Sequence, residues 1–504
     1  MLDARKTMLE RNRLGQFATP SALALEIATY VRSRLPKRCP ALHFCEPAFG
    51  TGSFYSAFLQ IFPRHSIAST TGIEIDAAFV SAARDIWDST GLELIEADFT
   101  SLAARNNTLP RPNILLTNPP YTRHHHLNDE QKARLKPDTA RLTGIPVSGL
   151  AGIYVYYFLL ASAWMQDDGI AAWLLPSEFM DVNYGTALKK YLTEQASEVR
   201  IHRYNPLDVQ FEDALVSSAV VVFRKRPPMH SATIEMTYGG TLTEPNRRQR
   251  ISITELVGAP KWTQYPSDPN KAPILTNENG ATLGDLFDIK RGIATGANEF
   301  FILSKAEAER RGLPIGYLRP ILPSPRQLRQ SIIEADSDGY PCLDEPLFLI
   351  DCDLEPLKLQ KQCQPLWEYL ESANKSGIRD RYLVSSRKLW YKQESRAPAP
   401  FLCTYMGREN GERKPFRFIW NRSKAIATNL YLMLYPKAGL AQLIHERPEL
   451  DESIYTALNF LRDDLCAQGR FYGGGLHKIE PKELKRVQAV TFSTLIAQLR
   501  VTET

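Results

Sequence analysis

ALHFCEPAFGTGSF, residues Ala41–Phe54, reads as a buried strand, a glycine turn and the start of a helix. Gly50 and Gly52 permit a tight turn and a close backbone approach to a ligand. A phosphate-binding loop would carry a longer glycine pattern, or a lysine followed by serine or threonine; neither is present. The same theme recurs outward in both directions. TPSALALEIATYVRSRL ahead of it is an amphipathic helix, with Leu23, Ile27, Tyr30, Val31 and Leu35 on one face, Thr19 suited to the N-cap and Pro20 to the first helical position. Behind it, TGIEID is a second strand and AAFVSAARDIWDS a helix, LELIEADF a third strand and NILLTN a fourth. A helix at Ile153–Met165 precedes the strand IAAWLLP, and EVRIHRY with VSSAVVVF closes the series as an antiparallel pair. Strands alternating with helices predict an α/β fold with a doubly wound, parallel-rich sheet.

A chain of 504 residues is too long for one core. YGGTLTEPNRRQR (Tyr238–Arg250) combines Gly, Pro and a basic run, and sets the expected boundary between a domain at 1–240 and a mixed α and β domain at 241–504. Within the latter, AQLIHERPELDESIYTALNFLRDDL is helical by its period. Hydrophobic content of 43% and charged content of 23% are ordinary for a globular chain, and the net charge of +5 permits a polyanionic partner. The seven cysteines include no CxxC pair, which disfavours a zinc ribbon and fits a reduced, cytoplasmic setting. The N-terminus is polar and no apolar run is long enough to cross a bilayer, so neither a signal peptide nor a membrane partner is expected.

Four pieces sit at the carboxyl ends of successive strands. They are Glu46–Gly52; Glu74; Asp98 with Phe99; and TNPPYTR, Thr117–Arg123. Ligands of open α/β sheets bind at such ends. An acid at the end of the second strand commonly holds ribose hydroxyls, and a carboxylate beside a ring can take an adenine amine and stack on the base. Together they describe a pocket for an adenosine-bearing cofactor without a pyrophosphate, and S-adenosylmethionine fits. Each piece also has a plainer reading: Glu46 as a carboxylate at a helix N-terminus, Glu74 as a surface acid, Asp98 as an N-cap, Phe99 as core.

EPAFGTGSF, GIEID, ADF and TNPPY, in this order, resemble the motifs of S-adenosylmethionine-dependent N6-adenine DNA methyltransferases. GQFATP (Gly15–Pro20) resembles the additional cofactor motif of the gamma class, and FEDALVSSAVVVF (Phe211–Phe223) its late motif. TaqI-type enzymes are the nearest architecture. KRGIATGANEFFIL, FIWNRSKAIATNLYLMLYP and YGGGLHKIEPKEL look like target-recognition regions of larger restriction–modification enzymes such as the BsuBI/PstI kind. The resemblance implies a class I methyltransferase sheet and a monomeric protein acting on duplex DNA, with a cognate restriction endonuclease as functional partner. It implies a cofactor pocket of Thr19, Glu46, Pro47, Ala48, Phe49, Gly50, Gly52, Glu74, Ile75, Asp98, Phe99 and Asn118. Phe49 departs from the small residue often found at its place.

The chemistry implied is methyl transfer to the adenine N6 amine, whose lone pair is delocalised into the ring. The Asn118 side-chain oxygen and the Pro119 carbonyl would accept its two N–H bonds; Pro120 restricts Pro119 to extended geometry. Tyr121 would stack on one face of the extruded base and Phe211 on the other. No metal is required, since adjacent histidines in RHHH (Arg123–His126) are poorly spaced for a common ion. Basic residues interleaved with aromatics are candidate phosphate contacts: Arg247, Arg248 and Arg250 at the boundary, then Lys290, Arg291, Arg326, Arg329, Arg387, Lys388, Arg417, Arg422 and Lys478. The competing readings are a protein-glutamine methyltransferase or an RNA methyltransferase sharing the NPPY loop, a non-catalytic DNA-binding subunit, and a fused nuclease.

Overall fold

The computed structural model describes residues 18–38, 40–105, 109–122, 124, 127–205, 217–259, 261–267, 281–409, 414–472 and 475–492. Nine strands between Leu42 and Ser252 form one sheet. Its strands are β1 (Leu42–Glu46), β2 (Ile67–Glu74), β3 (Glu93–Glu96), β4 (Ile114–Thr117), β5 (Ile170–Pro176), β6 (Ser197–Arg203), β7 (Ser218–Arg224), β8 (Thr233–Gly240) and β9 (Pro245–Ser252). They lie in the order β3-β2-β1-β4-β5-β7-β6-β8-β9. β1 to β5 pair in parallel, and β7 enters antiparallel between β5 and β6. This is the doubly wound sheet that the strand and helix pattern predicts; the antiparallel pair expected to close it, β6 with β7, is followed by two further strands, β8 and β9, that extend the sheet.

Helices cover both faces because both faces are apolar. β5 is buried along its whole length. Ala171, Trp173 and Leu175 pack in one core with the all-round apolar helix α6 (Ile153–Trp164); Ile170, Ala172 and Leu174 pack in a second core with α1 (Ser21–Ser33) and α2 (Ser53–Ile61). Strands buried on both faces read as continuous apolar runs rather than alternating ones. The remaining α-helices among the described residues of this unit are α3 (Ala77–Trp87), α4 (Phe99–Arg105), α5 (Asp129–Thr143), α7 (Thr186–Glu194) and α8 (Ile253–Gly258). α5 follows a capping box formed by Asn128 and Gln131 and tolerates Pro137 within it.

The chain divides into two compact units, with the main break after Ala272. That is some way beyond the boundary expected at 240. The basic segment Pro245–Ser252, read as part of that boundary, is β9, paired antiparallel with β8, which itself pairs in parallel with β6. Arg248 and Arg250 sit within ion-pairing range of Glu235 on β8, 3.6 and 3.9 Å away.

The second unit is mixed α and β, as expected. Its larger sheet holds β10 (Phe287–Arg291), β13 (Ile332–Ile333), β15 (Phe401–Thr404), β16 (Phe418–Asn421) and β17 (Tyr431–Pro436), in the order β10-β17-β15-β16-β13. A smaller sheet joins β11 (Ile302–Ser304), β12 (Leu318–Ile321) and β14 (Leu347–Ile350). The helical stretch near the C-terminus is three pieces, Ala438–Glu446, Leu450–Phe460 and Arg462–Gln468. Pro448 lies in the first break, as the lost N–H and the ring clash of proline require.

One packing detail fixes the turn after β1. Phe49 turns its ring inward, where it is 2% exposed, and its N–H donates to the Ile73 carbonyl at 2.9 Å. A Cβ on Gly72 of β2 would lie 2.5 Å from that ring, and one on Gly52 2.7 Å from it. The large residue at 49 is therefore matched by an absent side chain on the neighbouring strand. Gly72→Ala should destabilise this unit by roughly 1–3 kcal/mol through overpacking. Phe49→Leu in the same chain should recover part of the loss. Calorimetric melting of the two variants checks this, and a Gly72→Ala melt equal to the parent's would contradict it.

Candidate functional site

β1 and β4 are neighbours in register, Phe44 beside Ile114 and Cys45 beside Leu115. Their carboxyl ends therefore open side by side. On the β1 side, Gly50 (φ +55) and Gly52 (φ +85) adopt the left-handed conformation that glycine favours. The turn closes when Gly52 N–H donates to the Phe49 carbonyl at 2.9 Å, and α2 starts at Ser53.

Glu46 is 3% exposed and accepts from the Tyr55 N–H in the first turn of α2 at 3.1 Å. Burial pushes its pKa well above the usual carboxylate range; the Tyr55 N–H pulls it back, and the charge of Glu74 pushes it further up. Glu74, 9% exposed, is braced by backbone donors: Ile75 N–H at 3.0 Å and Asp76 N–H at 2.9 Å on Oε1, and Gly50 N–H at 2.8 Å on Oε2. Its pKa is raised by burial, an effect these N–H groups partly offset. Glu74 is thus no surface acid: it ties the glycine turn to the end of β2. Among the described residues neither carboxylate has an ion-pair partner. Two buried acids without an ion-pair partner are a setting that a cationic ligand would relieve. Ile75, next to Glu74, is 60% exposed at this end of the sheet. Pro47 is buried and Ala48 half-buried.

The third piece is placed differently. Asp98 Oδ1 accepts from the Thr100 N–H at 2.9 Å and the Thr100 hydroxyl at 2.7 Å. Its Oδ2 accepts from Ser101 Oγ at 3.2 Å and pairs with Arg134 of α5 at 3.1 Å. This carboxylate caps α4 and anchors α5. The Phe99 ring is core, 1% exposed, with its centroid 5.2 Å from that of Tyr157. Both plainer readings of this pair describe the side chains correctly. Arg134 was not legible beforehand; a lone basic residue in a polar helix gives no signal.

The fourth piece follows β4, where the ladder stops at Thr117 and the two prolines begin. Pro119 is buried and Asn118 and Pro120 half-buried. The Tyr121 hydroxyl donates to the Leu174 carbonyl of β5 at 3.0 Å, and its ring meets Tyr154 edge-on at 6.4 Å. Burial pushes the Tyr121 phenol up. Tyr154, whose hydroxyl is buried, and the pair in which the Tyr184 hydroxyl donates to Glu178 at 2.5 Å add to this neighbourhood; none was marked by a motif. Thr19 does not cap α1. Pro20 is the N-cap, and Thr19 Oγ1 accepts instead from Asn118 Nδ2 at 3.1 Å. The GQF part of GQFATP, and Phe211, lie outside the described residues.

In the second unit several candidate phosphate contacts prove to be internal braces. Arg387 donates to the Ala294 and Thr295 carbonyls, Arg417 to those of Leu328 and Arg329, and Arg291 to that of Asn429 while lying 4.0 Å over the Tyr405 ring. Arg422 pairs with Glu334 at 2.8 Å and Lys478 with Glu480 at 2.9 Å. Lys290, Arg326, Arg329 and Lys388 are exposed.

Two family models match the chain. Residues 113–209, which include the Asn118 loop, match the Eco57I restriction-modification methylase, and residues 259–502 match the C-terminal domain of the type II methyltransferase M.Eco57I. The type II methyltransferase M.XamI of Xanthomonas campestris pv. amaranthicola is 28% identical over 96% of this chain and 86% of its own. M.AccI of Acinetobacter calcoaceticus is 23% identical over 94% and 85%. Among solved structures, the DrdV–DNA complex superposes with a TM-score of 0.52 at 12% identity, over 84% of this chain and 50% of that one, which speaks to the fold alone. No helix of the described residues is long and apolar enough to cross a membrane. Over most of its length the chain is thus similar to Eco57I-like type II restriction–modification methyltransferases.

Proposed function

We propose that the protein is a site-specific DNA methyltransferase, of gamma-class, TaqI-like organisation, that transfers a methyl group from S-adenosylmethionine to the N6 amine of an adenine flipped out of duplex DNA. The observation that carries this reading is a half-buried asparagine, its amide group tethered, in the loop that leaves β4, with the buried carboxylates Glu46 and Glu74 at the same ends of β1 and β2. In this reading the first unit is catalytic, the second recognises the DNA target, and the modification protects the host from a cognate endonuclease. The protein acts as a cytoplasmic monomer.

S-adenosylmethionine would supply an electrophilic methyl on a sulfonium. The residues present fit it: Glu46 and Glu74 provide negative charge in a low-dielectric setting, Ile75 an apolar surface for a base, and the glycine turn a close backbone approach. Glu74 keeps acceptor capacity for ribose hydroxyls beyond its three backbone donors, since an ionised carboxylate has about four lone-pair sites. Asp98 is largely engaged, so its part is to hold the α4 N-terminus where the adenine end would lie.

At the reacting centre the Asn118 amide oxygen and the Pro119 carbonyl accept the two N–H bonds of the substrate amine. They draw the nitrogen toward tetrahedral geometry and stabilise the positive charge that develops on it. Tyr121 offers a ring anchored at its hydroxyl to β5, and Phe211 is assigned the opposite face of the base. Exposed Lys290, Arg326, Arg329 and Lys388 are the candidates for phosphate contacts.

The deciding experiment incubates the protein with labelled S-adenosylmethionine and, in parallel, mixed-sequence duplex DNA, RNA and a release-factor-like protein. Label should enter DNA; label entering only RNA or protein would refute the reading. Asn118→Ala should lower single-turnover transfer by about 100-fold or more while cofactor affinity stays within about threefold; near-normal turnover would rule out the assigned role. Tyr121→Phe removes one hydrogen bond and keeps the ring, so it should cost about 1 kcal/mol of stability, read from the thermal midpoint, with transfer largely retained. A pH dependence follows from Glu46. Its raised pKa in the free protein falls when a cation arrives, so binding releases protons and affinity rises with pH between the bound and free values. Titration calorimetry in buffers of different ionisation enthalpy should show this release in the parent and its loss in Glu46→Gln. Equal proton counts in both would exclude Glu46 as the coupled group.

A further inference from the structure

We infer that Thr19 is a positioning residue for methyl transfer: by accepting a hydrogen bond from Asn118 Nδ2 it sets which end of the Asn118 amide faces the substrate amine. The inference rests on the proposed function and adds to it, for a residue that the resemblance places in the cofactor pocket, a role exercised through Asn118.

A primary amide presents two ends of nearly equal size and opposite polarity: an oxygen that accepts and an NH2 that only donates. Only the oxygen end can take an N–H bond of an exocyclic amine. An Asn118 side chain turned through half a revolution would aim two donors at two donors. The orientation is therefore part of the chemistry, and something must hold it.

The loop's own backbone is poorly equipped for this. Pro119 and Pro120 have no N–H, so the two residues that follow Asn118 bring no main-chain donor to the amide oxygen side, nor any competitor for it. The tether comes instead from residue 19, 99 positions earlier in the chain, where Thr19 Oγ1 accepts from Asn118 Nδ2 at 3.1 Å. Thr19 is half-buried. Its hydroxyl is not spent on capping α1: Pro20 is the N-cap, with no side-chain bond, and the helix opens with Ala24 N–H donating to the Pro20 carbonyl at 3.0 Å. With the NH2 end held by Thr19, the oxygen is the end that faces away from the Thr19 hydroxyl. Holding an amide in its productive sense before the base arrives is preorganisation, which lowers the cost of reaching the transition state.

The test compares Thr19→Val, which keeps the shape and removes the acceptor, with Thr19→Ser, which keeps the hydroxyl. Both are made in the parent and in an Asn118→Asp background. An ionised aspartate has two equivalent acceptor oxygens, so there its orientation no longer matters. The probe is single-turnover transfer from labelled S-adenosylmethionine to unmethylated, high-complexity genomic DNA, with cofactor affinity measured separately by calorimetry. In the parent, Thr19→Val should slow transfer about tenfold or more, with cofactor affinity within about threefold, and Thr19→Ser should stay within about twofold. In the Asn118→Asp background Thr19→Val should change the rate by less than about twofold.

A loss of equal size in both backgrounds, or one that lies wholly in cofactor affinity, would overturn the positioning role. If the aspartate chain is too slow to time, the serine and valine variants decide: equally slow transfer overturns the inference, and recovery with serine upholds it. A parent inactive on DNA would contradict the proposed function itself, and is seen before any substitution is compared.

Discussion

The parallel pairing of β1 with β4 is the constraint on which the rest of the site depends. Along the sheet, β2 and β3 lie to one side of this pair and β5 and β7 to the other, so the direction of winding reverses here. Where winding reverses, the loops leaving neighbouring strands part to opposite faces and leave a crevice at the strand ends. The glycine turn leaves β1 and the Asn118 loop leaves β4, so both border that crevice. Glu74 reaches the same end from β2 and holds the turn through the Gly50 N–H. Thr19 joins from the segment before α1.

The electrostatics of this crevice are one-sided. Glu46 and Glu74 are both buried, and burial disfavours their charged forms; the charge of Glu74 adds to this at Glu46, and that of Asp76 at Glu74. Backbone N–H groups at the start of α2 and in the turn offset part of that cost. Such an arrangement is unfavourable for folding and favourable for binding a cation, the pattern expected where a site stores its ligand's complement. The Asn118 loop is the opposite kind of object: neutral, stiffened by two prolines and pinned by Tyr121 to β5 and by Asn118 to Thr19. Charge on one side and fixed dipoles on the other divide the labour between holding a donor and activating an acceptor.

Much of this was legible in the sequence because it is written in local pattern. The apolar run before TNPPY, the glycines after EPAF and the acid closing GIEID each mark a strand end by composition alone. What could not be read depends on partners distant in the chain. Asp98 looked available to a ligand until Arg134 and the α4 N-terminus claimed it. Phe49 looked oversized for its place until Gly72 on β2 supplied the missing volume. Helix α5 was hidden by its polarity and by Pro137. The basic run at 247–250 read as a domain boundary because alternation on an exposed edge strand, with polar residues on nearly every position, lacks an apolar face. The same holds for Arg387 and Arg417: an arginine that braces carbonyls and one that grips phosphate are identical in sequence.

The central claim is that the elbow after β4 activates an adenine amine. Nucleoside mass spectrometry of unmethylated DNA treated with the protein and S-adenosylmethionine tests it most directly. The account predicts N6-methyldeoxyadenosine as the product that accumulates. Modified cytosine in its place, or unmodified nucleosides beside methylated protein, would contradict it.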